Sequence, residues 1–297
     1  MDVSRIVAIA LLVITVGFGG AAPTPAQAAG EGTLLVLGDS IPFGFIDAVD
    51  LTGYFFRRSE NFRSFANDLG DQLRLDVVNA SCPGTTTGSF LSSTAPDEGC
   101  REFLAASYPL HQNYKSTQAV FAAHYLSTHS DVRLVTITLG ANDGFLLEAA
   151  CANIPDPTPA KIAACIAAGA PATFAAVAEN LGLTLAALRG TGYAGPIVLT
   201  NYYSLDYSDV TQPGITELTE GLNAAIAAPA SAAGALVADV FTAFYKLAAI
   251  PAYAGQTCKS GLLSPDTVKP NVCGVHPALL GQQVIADTIV RTISGRH

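Results

Sequence analysis

Four short blocks of the sequence carry the residue types that serine-dependent acyl transfer needs. Ser40 closes a Gly-Asp-Ser block directly after an apolar run, and Gly84 and Asn142 follow two later apolar runs. His276 lies near the C-terminus, before a proline. A serine becomes a nucleophile when an imidazole accepts its proton and hydrogen-bond donors hold the negative oxygen of the intermediate. Each block alone is equally typical of an ordinary turn or a helix cap, so their joint occurrence is what indicates chemistry.

The elements that would position these blocks are those of a parallel sheet. Apolar runs of strand length alternate with segments of helical spacing, the last of which predicts a helix over 277–293. Continuous apolar strands separated by helices are typical of a doubly wound α/β sandwich, which binds ligands at the carboxyl ends of its strands. We predict one domain over 29–297, with five parallel strands at 33–37, 75–79, 133–139, 196–201 and 235–240.

Three long stretches show no regular pattern, at 81–117, 141–160 and 253–276. Loops of this length in a compact domain usually serve a function. Each stretch follows a strand or precedes the last helix, so we expect the three to surround the site.

Five of the six cysteines lie in these stretches, and Cys165 follows the second stretch by five residues. Six cysteines allow 15 disulfide connectivities, which sequence alone cannot separate. We favour the local pairing because it closes three short loops, each within one segment between predicted strands or helices: Cys82 with Cys100, Cys151 with Cys165, and Cys258 with Cys273. No CxxC pair or neighbouring histidine indicates a metal site, and we predict none.

The first 28 residues predict a secretory signal peptide. Arg5 precedes an apolar stretch over 6–18, and Ala26-Gln27-Ala28 has the small-x-small pattern of a cleavage site. A membrane anchor is the alternative, but the apolar stretch is shorter than the roughly 18 residues of a span. The uncharged stretches 162–178 and 221–238 are rich in alanine and contain prolines, so we interpret them as core or surface helices. We therefore predict a secreted, extracellular protein without stable membrane insertion.

The charge balance limits the choice of partner. The formal net charge is −9, and only 13% of the residues are charged. Nucleic-acid affinity depends on basic side chains that displace counterions, so nucleic acid is excluded as an expected partner. We expect a monomer whose partner is a small-molecule or lipid ester.

In its four blocks the chain resembles the SGNH hydrolases, also called GDSL esterases and lipases. The resemblance runs from the Gly-Asp-Ser block to the His-Pro block and implies a flavodoxin-like three-layer α/β fold. It implies that Ser40 is the nucleophile and His276 the general base, with no metal or organic cofactor. The oxyanion hole would comprise the backbone N–H groups of Ser40 and Gly84 and the side-chain amide of Asn142.

One departure from the family pattern concerns the third member of the triad. The family usually has aspartate three residues before the histidine, whereas this chain has Cys273. Some members resemble this arrangement and use a main-chain oxygen from that position instead. We expect the Cys273 carbonyl to orient His276 in a Ser-His dyad. A distant carboxylate, Asp266 or Asp287, is the alternative.

The predicted function is hydrolysis of acyl esters of lipids by a secreted lipase or esterase. Apolar side chains after Ser40 favour an acyl chain over a sugar if some of them line the cleft, although most are expected in the core. They are Ile41, Phe43, Phe45, Ile46, Tyr54, Phe55 and Phe56. The alternatives are a phospholipase A-type enzyme, a carbohydrate O-acetyl esterase, and an inactive binding protein on the same fold.

Overall fold

Five parallel strands form the central sheet of the computed structural model, which describes residues 31–46, 55–209, 214–265 and 272–295. The strands are β1 (Thr33–Gly38), β2 (Asp76–Asn79), β3 (Val132–Thr138), β4 (Ile197–Thr200) and β5 (Leu236–Ala238). They pair in the order β2-β1-β3-β4-β5, the flavodoxin-like order. The five predicted strands and the α/β fold class are confirmed. The predicted signal peptide lies outside the described residues.

Helices flank this sheet in two groups. They are α1 (Ser40–Phe43), α2 (Phe65–Leu73), α3 (Thr87–Leu91), α4 (Cys100–Ala105), α5 (Gln118–Thr128), α6 (Ala141–Ala152), α7 (Pro159–Gly190), α8 (Ile215–Ala232), α9 (Val240–Ala248) and α10 (Leu279–Ile293). Helix α10 packs against α2 and α9, while α7 packs against α5, α6 and α8. Helices on both faces explain why every residue of β1 and of β4 is buried.

A separate two-stranded antiparallel sheet carries the C-terminal part of the site. It consists of β6 (Leu263–Pro265) and β7 (Cys273–Pro277). The pairing joins Leu263 to Pro277 and Pro265 to Cys273, so four residue steps on β7 face two steps on β6. The extra residues bulge out of β7, and a bulge redirects side chains from the regular alternation of a strand. The sequence did not predict this sheet.

All three predicted disulfides are confirmed. The bridges are Cys82–Cys100, Cys151–Cys165 and Cys258–Cys273. The first joins the loop after β2 to α4, the second joins α6 to α7, and the third fixes the beginning of β7. Each bridge has at least one cysteine in a stretch that the sequence left irregular.

The stretch 141–160, predicted as irregular, is mostly helix and is the main correction to the sequence-based fold. Helix α6 occupies residues 141–152, and α7 begins at Pro159, three residues before the stretch 162–178 that was interpreted as helical. Proline at the first turn suits a helix because its missing N–H would have no partner there. Pro171 lies inside α7 and Pro229 inside α8, so neither proline ends its helix. Packing between α6, α7 and α8 outweighs the local cost of both residues.

Helix α7 is also long and apolar enough to cross a membrane by length and composition alone. Its most apolar window has a mean hydropathy of 1.6, and 11% of that window is buried in the protein. The C-terminal half of the same helix packs into the core through Val177, Leu181, Leu185 and Leu188. Half of α7 is thus a core helix of the α/β layer.

Candidate active site

Ser40 lies in a tight turn at the carboxyl end of β1, where the strand passes directly into α1. Gly38 has φ +136°, and a Cβ at this position would lie 2.2 Å from the Thr138 carbonyl oxygen on β3. Only glycine allows so close an approach of two backbones. Asp39 caps α1, its Oδ1 accepting a hydrogen bond of 2.9 Å from the Ile41 N–H. This turn presents Ser40 at the edge of the sheet where its order reverses.

The structure brings His276 next to Ser40. The distance between His276 Nε2 and Ser40 Oγ is 2.9 Å, within hydrogen-bond range. Two side-chain hydroxyls donate hydrogen bonds to the backbone of this part of β7. The Ser264 hydroxyl donates to the His276 carbonyl at 3.1 Å, and the Tyr203 hydroxyl donates to the Val275 carbonyl at 2.6 Å. The Phe45 ring packs on the imidazole with 4.9 Å between ring centroids. These contacts hold the imidazole within hydrogen-bond range of the Ser40 hydroxyl.

Asn142 and Gly84 lie on two neighbouring turns at the same edge. Asn142, the second residue of α6, is buried and donates from Nδ2 to the Thr85 carbonyl at 3.0 Å. Gly84 has φ +79°, and a Cβ there would lie 2.3 Å from the Glu98 carbonyl oxygen. Among the backbone hydrogen bonds of the described residues, none is donated by the N–H of Ser40 or Gly84. Both N–H groups thus remain available to a ligand.

Gln118 joins the nucleophile turn to the Gly84 loop. This buried side chain on α5 accepts from the Gly38 N–H at 2.9 Å and donates to the Gly38 carbonyl at 2.8 Å. It also donates to Thr85 Oγ1 at 3.0 Å. Three hydrogen bonds from one side chain fix the spacing between the two turns.

Asp39 is a buried acid beside the nucleophile. Its Oδ2 accepts a hydrogen bond of 2.5 Å from the Tyr202 hydroxyl. Burial raises the Asp39 pKa to about 6, although the hydrogen bonds from Tyr202 and Ile41 and the nearby His276 act in the opposite direction. Burial also raises the pKa of Tyr202 well above its usual value, and the Asp39 carboxylate adds to that effect.

Asp143 holds two helices together. Its carboxylate accepts from the N–H of Thr87 at 2.9 Å and from the Thr87 hydroxyl at 2.7 Å. Burial raises the Asp143 pKa, and the bonds from Thr87 partly offset this rise. The carboxylate therefore connects the beginning of α3 to the first turn of α6, where Asn142 lies. Asp39 and Asp143 thus each stabilise a turn at the carboxyl edge of the sheet through hydrogen bonds.

An apolar cavity of about 160 Å³ extends from Ser40. Ser40, His276 and Asn142 lie at its polar end, together with Asp39 and Tyr202. Its walls come chiefly from α6, α7, α8 and the loop after β4, and they include Phe145, Leu147, Ile166, Ala170, Phe174, Leu205, Ile215, Leu218 and Leu222. An apolar cavity beside Ser40 suits a hydrocarbon group.

Most of the apolar side chains that follow Ser40 are core residues. Ile41 lines the cavity, but Phe43 and Phe56 belong to a separate aromatic cluster with Phe62 and Phe103, against which Phe45 and Phe55 pack. Tyr54 lies outside the described residues. The cavity walls instead come from helices far along the chain, which the sequence did not indicate.

Of the residues predicted to orient His276, Cys273 lies in the same strand as the histidine and Asp287 lies at the protein surface. Cys273 begins β7, at the bulge that also contains His276. Asp287 lies on α10, where its carboxylate accepts a hydrogen bond of 3.0 Å from the Gln72 amide at the protein surface. Asp266 lies outside the described residues. The structure thus gives Asp287 a partner on α2 and does not bring it to His276.

Tyr202 and Gln118 are site residues that the sequence analysis missed. Tyr202 follows β4 directly, so the same carboxyl-end rule that selects Ser40 and Asn142 would have selected it. Gln118 is one polar residue at the start of an ordinary helix and gives no such signal. Within the described ranges, no group of three or more histidine, cysteine, aspartate or glutamate side chains could hold a metal ion.

Comparisons with solved structures show the same overall fold in other proteins. Phospholipase A1 from Streptomyces albidoflavus NA297 superposes with a TM-score of 0.58 at 17% identity, covering 88% of this chain and 99% of that chain. The extracellular lipase of Streptomyces rimosus gives 0.55 at 18% identity, covering 88% and 99%. An acetyl xylan esterase variant from Geobacillus stearothermophilus gives 0.50 at 15% identity, covering 90% and 97%. At these identities the similarity establishes the shared fold.

The family assignment comes from the sequence. No curated protein matches the chain, but the model of the GDSL-like lipase/acylhydrolase family matches residues 36–284. This range includes the nucleophile turn, both proposed oxyanion turns and His276. The chain belongs to the GDSL-like lipase/acylhydrolase family, the SGNH hydrolases.

Proposed function

We propose that the protein is a secreted serine hydrolase that cleaves acyl esters of lipids through a Ser40-His276 dyad. The observation that carries the proposal is the 2.9 Å contact between His276 Nε2 and Ser40 Oγ at the polar end of an apolar cavity. Family membership supports ester hydrolysis, and the cavity supports a hydrocarbon acyl group.

Acylation begins when Ser40 Oγ attacks the ester carbonyl carbon and its proton passes to His276 Nε2. The carbonyl oxygen becomes negative, and the N–H groups of Ser40 and Gly84 and the Asn142 amide donate to it. The imidazolium then protonates the leaving alcohol as the carbon–oxygen bond breaks, which leaves an acyl group on Ser40. Water, deprotonated by His276, releases the acid in the second half of the reaction.

The Cys273 carbonyl is the proposed partner of the second imidazole nitrogen. The bulge in β7 supports this role, because the additional residues shorten the path from Cys273 to His276 relative to an extended strand. The bridge to Cys258 fixes Cys273 at its own Sγ. A carbonyl carries a partial charge only, so it would orient the ring more than it would stabilise the imidazolium.

The apolar walls favour a lipid acyl chain over an acetyl group. Transfer of each methylene from water to an apolar site contributes roughly 0.8 kcal/mol, so a longer chain gains binding energy that an acetyl group cannot. Phospholipid remains an alternative substrate because the cavity holds the acyl group and leaves the head group outside. An acetylated carbohydrate fits this cavity less well.

Two features support secretion. The three disulfides need an oxidising compartment, and the N-terminal sequence has the pattern of a signal peptide. Both are expected of an extracellular lipase or esterase.

Ser40→Ala tests the nucleophile. Removal of the attacking oxygen should reduce turnover of a short-chain ester by about 10⁶, the loss seen when a triad nucleophile is removed. An organophosphonate ester should label the native protein at Ser40 and leave the variant unlabelled. A folded Ser40→Ala protein that keeps a tenth of the activity would refute the mechanism, and an unlabelled, inactive native protein would favour a binding function.

Ala170→Leu tests the cavity. Ala170 is 5% exposed on α7 and lines the cavity, so a larger side chain should displace the distal part of a long acyl chain. Loss of two buried methylenes costs about 1.6 kcal/mol, or roughly 15-fold in the long-chain to acetyl ratio of kcat/KM. The matched control is Ala149→Leu, an exposed position on α6 outside the cavity. An unchanged ratio, or native preference for acetylated glycans over long-chain esters, would contradict the lipid assignment.

A further inference from the structure

Tyr202 is a buried polar residue that the dyad mechanism does not use. It follows β4 at the carboxyl edge of the sheet and is 5% exposed. Its side chain lines the cavity next to Ser40, yet its hydroxyl points to a protein acceptor, Asp39. A buried phenol needs a hydrogen-bond acceptor for its hydroxyl, and any buried carbonyl would meet that need. Here the acceptor is instead an ionisable carboxylate next to Ser40.

The backbone of Tyr202 is held firmly. Asn223 on α8 accepts from the Tyr202 N–H at 2.8 Å and donates to the Tyr202 carbonyl at 2.7 Å. These two bonds from a single amide fix the residue to the helical layer. The ring therefore reaches Asp39 from a rigid base.

The hydroxyl of Tyr202 lies between two catalytic turns. On one side it donates to Asp39 Oδ2 at 2.5 Å, while Asp39 Oδ1 accepts from the Ile41 N–H and so defines the turn of Ser40. On the other side the backbone amide of Ala141 lies near enough to the phenolic oxygen to lower the Tyr202 pKa. Ala141 precedes Asn142, the proposed side-chain donor to the oxyanion.

We propose that Tyr202 is a positioning residue that sets the nucleophile turn against the oxyanion turn through its hydrogen bond to Asp39. The proposal rests on the ester hydrolase function assigned to Ser40 and His276. Tyr202 acts on Ser40 through Asp39 and touches no reacting atom. Its loss should therefore change turnover more than substrate binding, because misplaced donors lose their effect mainly in the transition state.

The Asp39 carboxylate gives this role a pH signature. The titratable groups that face Asp39 are Tyr202, His276 and Asp143, and the Tyr202 hydrogen bond lowers the Asp39 pKa. Loss of the hydroxyl should raise that pKa, so more of Asp39 is protonated in weak acid. The acid limb of the kcat profile should then move to higher pH, since a protonated carboxyl holds the turn less well.

Tyr202→Phe is the test, with Tyr207→Phe as the matched control. Tyr207 also buries a hydroxyl that donates to a backbone carbonyl, that of Phe241 at 2.7 Å, and it does not line the cavity. We expect Tyr202→Phe to lower kcat and the rate of Ser40 labelling about 10- to 100-fold, the effect of losing one hydrogen bond to a charged group. KM should stay within about threefold, and Tyr207→Phe should keep native kcat.

Asp39→Asn and the double variant complete the cycle. If Tyr202 and Asp39 act as one unit, the double variant should be no less active than the less active of the two single variants. Native kcat and an unmoved acid limb in Tyr202→Phe would overturn the proposal, as would a loss shared equally by Tyr207→Phe. Should Asp39→Asn not fold, Tyr202→Phe and its pH profile decide alone. Failure of the proposed function itself would show separately, as activity in Ser40→Ala.

Discussion

Replacement of Asn142 by alanine should lower both turnover and stability, because the side-chain amide has two N–H groups with different roles. One N–H of the Asn142 amide donates to the Thr85 carbonyl at 3.0 Å, and the residue lines the cavity beside Ser40, where its second N–H can serve the oxyanion. Loss of one oxyanion donor lowers turnover by about 10²–10³, or roughly 2.7–4 kcal/mol of transition-state stabilisation.

The same substitution leaves the Thr85 carbonyl without its side-chain donor. Thr85 is 2% exposed, so water replaces the amide poorly. An unsatisfied buried group costs about 1–3 kcal/mol. At about 2–4 °C per kcal/mol for a chain of this size, Asn142→Ala should lower Tm by roughly 2–12 °C.

Asn180→Ala is the matched control. The Asn180 amide donates to Thr87 Oγ1 at 3.1 Å on the same segment but does not line the cavity. Both variants should melt below the native protein, whereas only Asn142→Ala should lose turnover of a short-chain ester. Turnover within threefold of native in a folded Asn142→Ala would place the amide outside the oxyanion hole. A thousandfold loss in Asn180→Ala would show that damage to the loop explains both results.

Further predictions concern the disulfides and the acids. Replacing Cys82 and Cys100 by alanine opens a loop with a sequence separation of 18 and should cost about 3 kcal/mol by chain entropy, with lower turnover because Gly84 lies in that loop; a native Tm in the double variant would contradict this. Between pH 4 and 6 the native protein should lose stability relative to Asp39→Asn as the pH rises. The reason is that burial raises the folded-state Asp39 pKa to about 6, so the folded protein retains a proton that the unfolded chain has released. Relative to the ordinary aspartate pKa of 3.8, the difference in unfolding free energy reaches roughly 3 kcal/mol. Unfolding free energies of the two proteins that run parallel across this pH range would contradict the burial argument. Asp266→Asn and Asp287→Asn should each cost less than about tenfold in turnover if the Cys273 carbonyl orients His276, whereas a thousandfold loss in either folded variant would restore a full triad.

The sheet and the meeting of Ser40 with His276 could be predicted because they follow from local patterns and one general rule. Apolar strands are short and bounded by turn residues, so their positions were found to within about two residues. The carboxyl ends of parallel strands share one edge, which brings residues far apart in sequence together. The disulfides were predictable because each closes a short local loop.

The helices α6 and α7 and the cavity between them could not be predicted in the same way. Alanine-rich segments give little contrast between faces, so the sequence indicated a helix over 162–178 but not the continuous helix from Pro159 to Gly190. The cavity exists because α6, α7 and α8 pack with a gap beside Ser40, and that gap depends on tertiary contacts. The contact between Tyr202 and Asp39 likewise joins residues 163 positions apart.

The origin of the cavity walls has a consequence for how substrate preference can diversify. Ser40 and His276, the proposed nucleophile and base, come from opposite ends of the described chain, and Gly38 beside Ser40 has no room for a Cβ. Most of the cavity wall comes instead from the middle of the chain, α6 to α8. Changes in those helices can therefore alter the length or shape of the accepted chain without moving Ser40 or His276. Recombination of this central segment between family members would exchange selectivity while preserving the reaction.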